Sequence, residues 1–247
     1  MIPTLYIGAP GIGKTAKIQA QYDYCEILLL SSCCEEDIAG IPYRDDNKER
    51  RTVPRFIENI NKISNNKTVC LFLDEIDKAR REVADTLLTL ITNPKHFGIA
   101  REIDIVAAAN PPEWGGGDGI SKAMQSRFSV IKAGIDLFAW ENWARKSYPD
   151  PRIIKSIEMI VMGEIPILES NGENYDFRLT CPRTIELAWK ALLSGKDYLV
   201  SGLLTPNAAT GLLLAFKQNS ENKDRLQEIS RSIASKSKSN NIFRVKL

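Results

Sequence analysis

Short apolar runs, separated by polar stretches, cover the first half of the chain. Continuous runs at residues 69–73 and 103–109 are typical of strands buried on both faces of a parallel sheet. Shorter runs predict three further strands, at residues 2–7, 26–30 and 130–135. Apolar side chains with helical spacing predict helices at residues 16–21, 56–63 and 79–91, and the polar stretch 35–55 predicts a loop or surface hairpin. This alternation predicts a doubly wound α/β core, a parallel sheet flanked by helices, over residues 1–135.

The pattern changes to helices alone after residue 135. Helical periodicity covers residues 137–148, 153–165, 183–193 and 207–217, and prolines punctuate the segments between them. We therefore predict a small helical domain over residues 136–218. Residues 219–247 are rich in Ser, Asn and Lys, with seven basic and three acidic side chains, which predicts a polar basic tail.

Composition excludes several classes of function. The chain has 33 basic and 31 acidic residues, so its net charge of +2 carries no general signal for nucleic acid. Apolar runs of four or five residues are too short to span a membrane. The five cysteines have no disulfide-like spacing, which favours reduced thiols and a cytoplasmic location. His96 is the single histidine, which nearly excludes histidine-based metal sites and catalytic triads.

A glycine-rich segment between the first strand and the first helix predicts a phosphate site. It fits the pattern G-x-x-x-x-G-K-[ST] at every position, with a strand before it and a helix after it. Backbone N–H groups of such a loop point at phosphate oxygens, and the helix N-terminus adds a favourable dipole. Lys14 would reach the β- and γ-phosphates of ATP, and the Thr15 hydroxyl would bind Mg²⁺. The predicted nucleotide-binding residues are Gly8, Ala9, Pro10, Gly11, Ile12, Gly13, Lys14 and Thr15.

Two acids follow the apolar strand at residues 69–73. Side chains at the carboxyl ends of parallel strands lie where ligands bind. We therefore expect Asp74 to join Thr15 in holding Mg²⁺, and Glu75 to orient and polarise the attacking water. The alternative is that Asp74 caps the helix that begins near Asp77.

Together with their spacing, these motifs resemble those of AAA+ ATPases, specifically the MoxR-like branch. The resemblance covers most of residues 4–217. It also includes an Asp-hydrophobic-x-Gly-x-Pro segment, a strand ending in Asn-Pro-Pro, a Ser-Arg-Phe end of a helix, and a Cys-Pro-Arg-Thr segment. These lie at residues 37–42, 107–112, 123–128 and 181–184. The resemblance implies that residues 1–135 are a P-loop AAA+ core and that residues 136–218 are a helical lid.

The resemblance also implies roles for three further residues. Asn110 would hydrogen-bond the γ-phosphate or the attacking water, and Arg127 would reach a neighbouring subunit's nucleotide as an arginine finger. Arg183 would touch the γ-phosphate from the lid of its own subunit. The alternatives are a turn Asn before two prolines, a salt bridge at a helix end, and a surface Arg at a helix N-terminus.

Three classes of function remain open. The first, which the resemblance favours, is an oligomeric ATP-driven chaperone or remodeller of a protein client. The resemblance implies six subunits, and a von Willebrand type A domain protein as a possible partner. The second is a nucleic-acid motor or loader that contacts phosphates through residues 44–55 and the tail. The third is a nucleotide switch or a P-loop kinase. Residues 115–119 predict a glycine-rich loop, which could face the interior of a ring.

Overall fold

The computed structural model describes residues 2–114, 120–170 and 178–217. The predicted glycine-rich loop at residues 115–119 and the predicted tail at residues 219–247 lie outside this part. The chain divides into two compact units, one ending at Ile135 and the other beginning at Asp136. Assigning the second unit as a lid stays a prediction.

A five-stranded parallel sheet forms the centre of the first unit. Its strands are β1 Thr4–Ile7, β2 Tyr24–Leu29, β5 Val69–Asp74, β6 Asp104–Ala109 and β7 Ser129–Lys132, in the order β2-β5-β6-β1-β7. The register pairs Ile7 with Ala109 and also with Lys132. The carboxyl ends of β1 and β6 therefore meet at one edge of the sheet, which confirms the predicted α/β core.

Helices cover the sheet because their apolar side chains fall on one face. The helices are α1 Lys14–Gln19, α2 Glu35–Ala39, α3 Arg55–Lys62, α4 Arg81–Thr92 and α5 Lys122–Gln125. Ile57 and Ile60 of α3 and Leu87 of α4 are completely buried in the larger cluster on one face. On the opposite face, Ile18 of α1 packs with Phe72 and Val106.

The polar stretch 35–55 contains more structure than its composition predicts. A hairpin does form there, from β3 Pro42–Asp45 and β4 Lys48–Arg51, but the short helix α2 precedes it. This helix depends on a capping box, in which the carboxylate of Asp37 accepts the backbone N–H of Cys34 at 2.8 Å. Such a local contact leaves little trace in hydrophobic periodicity.

The second unit is helical, as predicted, with one small addition. Its helices are α6 Leu137–Ser147, α7 Pro151–Val161, α8 Pro182–Leu193, α9 Val200–Leu203 and α10, residues 206–217. Asp136 and Asp150 cap α6 and α7 with their side chains. Trp140 and Trp189 stack with ring centroids 5.8 Å apart in the core. The addition is a two-residue antiparallel pair, β8 Glu169–Ser170 with β9 Leu179–Thr180.

Within residues 2–114, 120–170 and 178–217, no helix is long and apolar enough to cross a membrane.

Candidate nucleotide site

The loop between β1 and α1 needs glycine for two different reasons. Gly11 and Gly13 have φ angles of 72° and 92°, a left-handed conformation that other residues rarely adopt. Gly8 lies against the segment that follows β7, and a Cβ atom there would be only 2.4 Å from the carbonyl oxygen of Ala133. Gly13 is also the N-cap of α1, so the loop ends at a helix N-terminus as the pattern requires.

Lys14 is held at the carboxyl ends of β1 and β6. Its Nζ donates to the carbonyl oxygens of Gly8 at 2.7 Å and Ala9 at 3.0 Å. It also donates to Oδ1 of Asn110 at 2.8 Å. The predicted phosphate-binding cation is therefore in direct contact with the amide predicted to meet the γ-phosphate or the attacking water, although 96 residues separate Lys14 and Asn110.

Thr15 and Asp74 form a pair suited to a divalent cation. The Thr15 hydroxyl donates to Oδ2 of Asp74 at 3.1 Å. Mg²⁺ prefers oxygen ligands and commonly takes one or two protein groups together with phosphates and waters. A hydroxyl and a carboxylate oxygen this close, at the N-terminus of α1, fit such an ion.

Asp74 also satisfies its own backbone turn. Its Oδ1 accepts the N–H of Glu75 at 3.0 Å, while Oδ2 takes the Thr15 hydroxyl. The N-cap of the turn Ile76–Lys78 is Glu75, and no side chain caps that turn, so the structure does not show the capping alternative for Asp74. Asp74 thus ties the end of β5 to the start of α1.

Glu75 has an unusual backbone for a residue with a side chain. Its φ of 54° and ψ of 43° are left-handed, which costs energy for any residue except glycine. The turn carries the carboxylate out of the line of β5, where Lys78 Nζ lies 3.1 Å from Oε1. Both side chains are about one-third exposed, with 37% for Lys78 and 31% for Glu75, so the carboxylate is accessible to water.

Asp77 is a site residue that the sequence interpretation treated only as the start of a helix. Its side chain is buried, and its Oδ1 accepts the backbone N–H of Asn110 at 3.1 Å. The available signal was a third acid within four residues of an apolar strand end. A run of acids does not identify Asn110 as the hydrogen-bond donor to Asp77, because the two residues are 33 positions apart in the sequence.

The Asp37–Gly40 segment acts locally to shape the chain beside the sheet. The N–H of Cys34, donating to Asp37, lowers the pKa of that carboxyl. Gly40 has a φ of 77°, and a Cβ there would be 1.9 Å from the carbonyl oxygen of Thr52. Because the backbone N–H of Ile41 also donates to the Thr52 hydroxyl oxygen at 2.9 Å, the two ends of the β3–β4 hairpin are closed together.

Comparison with known families identifies this arrangement. The profile described as AAA domain (dynein-related subfamily) matches residues 3–128, which is 126 of the 247 residues. The chain belongs to this AAA family. The match includes the glycine-rich loop, Asp74, Glu75, Asn110 and Arg127, while Arg183 lies beyond it. No curated protein matches the sequence.

The solved structures to which the chain is similar include the RuvB Holliday junction branch migration motor of Thermotoga maritima. One RuvB structure has 15% sequence identity and a TM-score of 0.47. The matched region covers 88% of this chain and 61% of the RuvB chain. A mutant of the same motor gives 13% identity and a TM-score of 0.48, with 88% and 62% covered. The present chain therefore spans about three fifths of the length of these RuvB chains.

The two arginines that the resemblance assigns to nucleotide contacts lie in different units of the chain. Arg127 follows α5 and precedes β7, and Ser129 pairs with Thr4 at the amino end of β1. It is therefore at the sheet edge opposite Gly8, and its guanidinium donates to Ala123 O at 2.7 Å and Thr92 Oγ1 at 3.2 Å. Arg183 belongs to the second unit, exposed in the first turn of α8.

Proposed function

We propose that the chain binds Mg-ATP at this edge of the sheet and hydrolyses it to ADP and phosphate. Lys14 binds the β- and γ-phosphates, Thr15 and Asp74 hold Mg²⁺, and Asn110 contacts the γ-phosphate. Glu75 orients and polarises the water that attacks it. The observation that carries the proposal is the contact of Lys14 Nζ with Asn110 Oδ1 beside the Thr15–Asp74 pair. Three separate segments thus bring four suitable side chains together.

Phosphate release from ATP tests this proposal, with a matched lysine as control. Lys14→Ala removes the ammonium group from the phosphate site, so ATP binding and hydrolysis should both fall to background. Lys17→Ala removes an exposed ammonium one turn further along α1 and should leave both unchanged. Equal activity of the two variants would contradict the assignment of the site.

We propose a homo-oligomeric ring of the MoxR-like type, with six subunits as the expectation, in which Arg127 acts on the nucleotide of the neighbouring subunit. β1 and β7 are four residues long, which separates Arg127 from Gly8 by roughly 13 Å along the strands. A side chain at the opposite edge is better placed to serve another subunit than its own. Arg183 is proposed to contact the γ-phosphate within its own subunit.

Particle mass in solution tests the ring. The Glu75→Gln variant, measured with and without Mg-ATP, keeps bound nucleotide from being hydrolysed. The proposal expects a monomer without nucleotide and about six subunits with it. A monomer under both conditions, with ATP shown to be bound, would contradict the ring.

The five cysteines are free thiols in the structure, which supports our proposal of a reducing, cytoplasmic setting.

We propose that the motor remodels a protein client, with a von Willebrand type A domain protein as a candidate partner. The second candidate function is a nucleic-acid-dependent ATPase, favoured by the exposed hairpin that carries Arg44, Lys48 and Arg50. Against it, Arg50 is paired with Asp45 at 3.2 Å.

The effect of added polymers on ATP hydrolysis separates these two candidates. Stimulation by single- or double-stranded DNA that is lost with Arg44→Ala would favour the nucleic-acid motor. An unchanged rate with DNA, together with phosphate release that needs no acceptor molecule, would favour the remodeller and exclude a kinase.

A further inference from the structure

A buried carboxylate, that of Asp77, lies in the turn that follows the proposed catalytic residues. Asp77 is the central residue of the 3-10 turn Ile76–Lys78, which follows Asp74 and Glu75. Asp77 is only 6% exposed, and among the residues that the structure describes it is the one charged residue that is buried. Burying a carboxylate is costly unless hydrogen bonds compensate for the water that it loses. The groups that donate hydrogen bonds to the Asp77 carboxylate are therefore fixed in position, because losing such a bond would leave a buried charge uncompensated.

One of these groups is the backbone of Asn110. Its N–H donates to Oδ1 of Asp77 at 3.1 Å, at the point where the chain leaves β6. Hydrogen bonds to an ionised acceptor are stronger than those between neutral groups. The contact fixes the first residue of the loop after β6 against the turn after β5.

The amide of Asn110 points the other way, toward the glycine-rich loop. Its Oδ1 accepts Lys14 Nζ at 2.8 Å, so one residue is held from both sides. Asp77, Asn110 and Lys14 form a continuous line of contacts across the carboxyl ends of β5, β6 and β1. A shift of the turn at residues 76–78 would move the Asn110 amide relative to Lys14.

We infer that Asp77 is a positioning residue for hydrolysis, acting through the backbone of Asn110. The inference rests on the proposed function. In this role Asp77 acts through Asn110 and not on the nucleotide: it holds the Asn110 amide in the place where a γ-phosphate and the attacking water would meet it. Small misplacements of such a group have large effects on rate, because the reacting geometry is lost before binding is lost.

Steady-state ATP hydrolysis by the full chain tests this role. Asp77→Ala removes the acceptor and should lower kcat by roughly 10- to 100-fold, the kinetic equivalent of one lost hydrogen bond to a charged group. The KM for ATP should stay near the wild-type value, because the loop backbone and Lys14 remain. Asp77→Asn keeps an acceptor oxygen at the same position and should recover most of kcat.

A matched control separates positioning from simple loss of stability. Asn61 also holds a loop by its backbone, since its Oδ1 accepts the N–H of Ala100 at 3.0 Å and its Nδ2 donates to Gly98 O at 2.8 Å. That loop precedes β6 and lies at the other sheet edge. Asn61→Ala should therefore lower the melting temperature and leave kcat unchanged. If Asp77→Ala does not fold, Asp77→Ser gives the same test, because its hydroxyl is too short to reach Asn110.

Each result then supports or overturns the inference. A fall in kcat with a steady KM, recovered by Asp77→Asn and absent in Asn61→Ala, would support it. Wild-type kcat in a folded Asp77→Ala or Asp77→Ser variant, or an equal fall in Asn61→Ala, would overturn it while the proposed function stands. A wild-type chain without any ATP hydrolysis would overturn the proposed function, and the inference with it.

Discussion

Replacing Gly8 with alanine would place a methyl group in space that the backbone already occupies. The new Cβ would be 2.4 Å from Ala133 O, 2.9 Å from Ala133 Cβ and 3.0 Å from Ile12 Cδ1. The first of these contacts is with backbone, which cannot rotate away as a side chain does. Either the glycine-rich loop or the segment after β7 must therefore move.

The size of the effect follows from the cost of overpacking. Inserting a methyl group into a closely packed site costs typically about 1–3 kcal/mol. If that cost falls on the loop conformation that binds phosphate, ATP affinity drops by roughly 5- to 150-fold. The assay is titration of a fluorescent ATP analogue in the presence of Mg²⁺.

Gly134 provides a matched control for this substitution. It is adjacent to Ala133, yet a Cβ there would meet nothing within 4 Å and its φ is not in the left-handed range. Gly134→Ala should bind the analogue like the wild type. Equal binding by Gly8→Ala and the wild type would refute the claim that the contact with Ala133 shapes the phosphate site.

Three further predictions concern other parts of the chain. Arg127→Ala should bind ATP without hydrolysing it, and mixing it with Glu75→Gln should restore some phosphate release; full activity of Arg127→Ala alone would place the finger elsewhere. The Cys70 thiol is completely buried, and burial raises its pKa. The hydrogen bond with Asp37 raises the pKa of the Cys34 thiol as well, but Cys34 is partly exposed, so iodoacetamide should modify Cys34 before Cys70, as mass spectrometry of timed samples would show. Equal rates would count against this prediction. The buried indole N–H of Trp189 donates to the Ser156 hydroxyl at 2.9 Å, and Ser156→Ala removes that acceptor. Urea unfolding should therefore show a free energy of unfolding lower by about 1–3 kcal/mol, whereas the exposed control Ser201→Ala should leave it unchanged.

Two strands of the core, β5 and β6, could be predicted because they are buried on both faces. All five residues of Val69 to Leu73 are at most 3% exposed, and such a run has few structural alternatives. The glycine-rich loop could be predicted because its backbone needs specific residues at fixed spacing. Helix α2 could not, since five residues held by a capping box show no periodicity.

Contacts between distant segments account for most of what periodicity missed in the site. The role of Asp77 depends on its hydrogen bond from the N–H of Asn110. The two residues follow different strands, and no rule of sequence spacing relates them. The location of Arg127 at the far sheet edge depends on strand order, with β7 beside β1. The contacts of Arg101, which donates to the carbonyl oxygens of Ile63, Ser64 and Lys67, also join segments that are distant in sequence.

Measuring ATP binding and phosphate release by Glu75→Gln, side by side with the wild type, tests the central claim most directly. The substitution keeps the size of the side chain and removes the carboxylate that polarises water, while Lys14, Thr15 and Asp74 remain. The proposed mechanism predicts Mg-ATP affinity at least equal to that of the wild type and no phosphate release above background. Wild-type turnover by Glu75→Gln would contradict it.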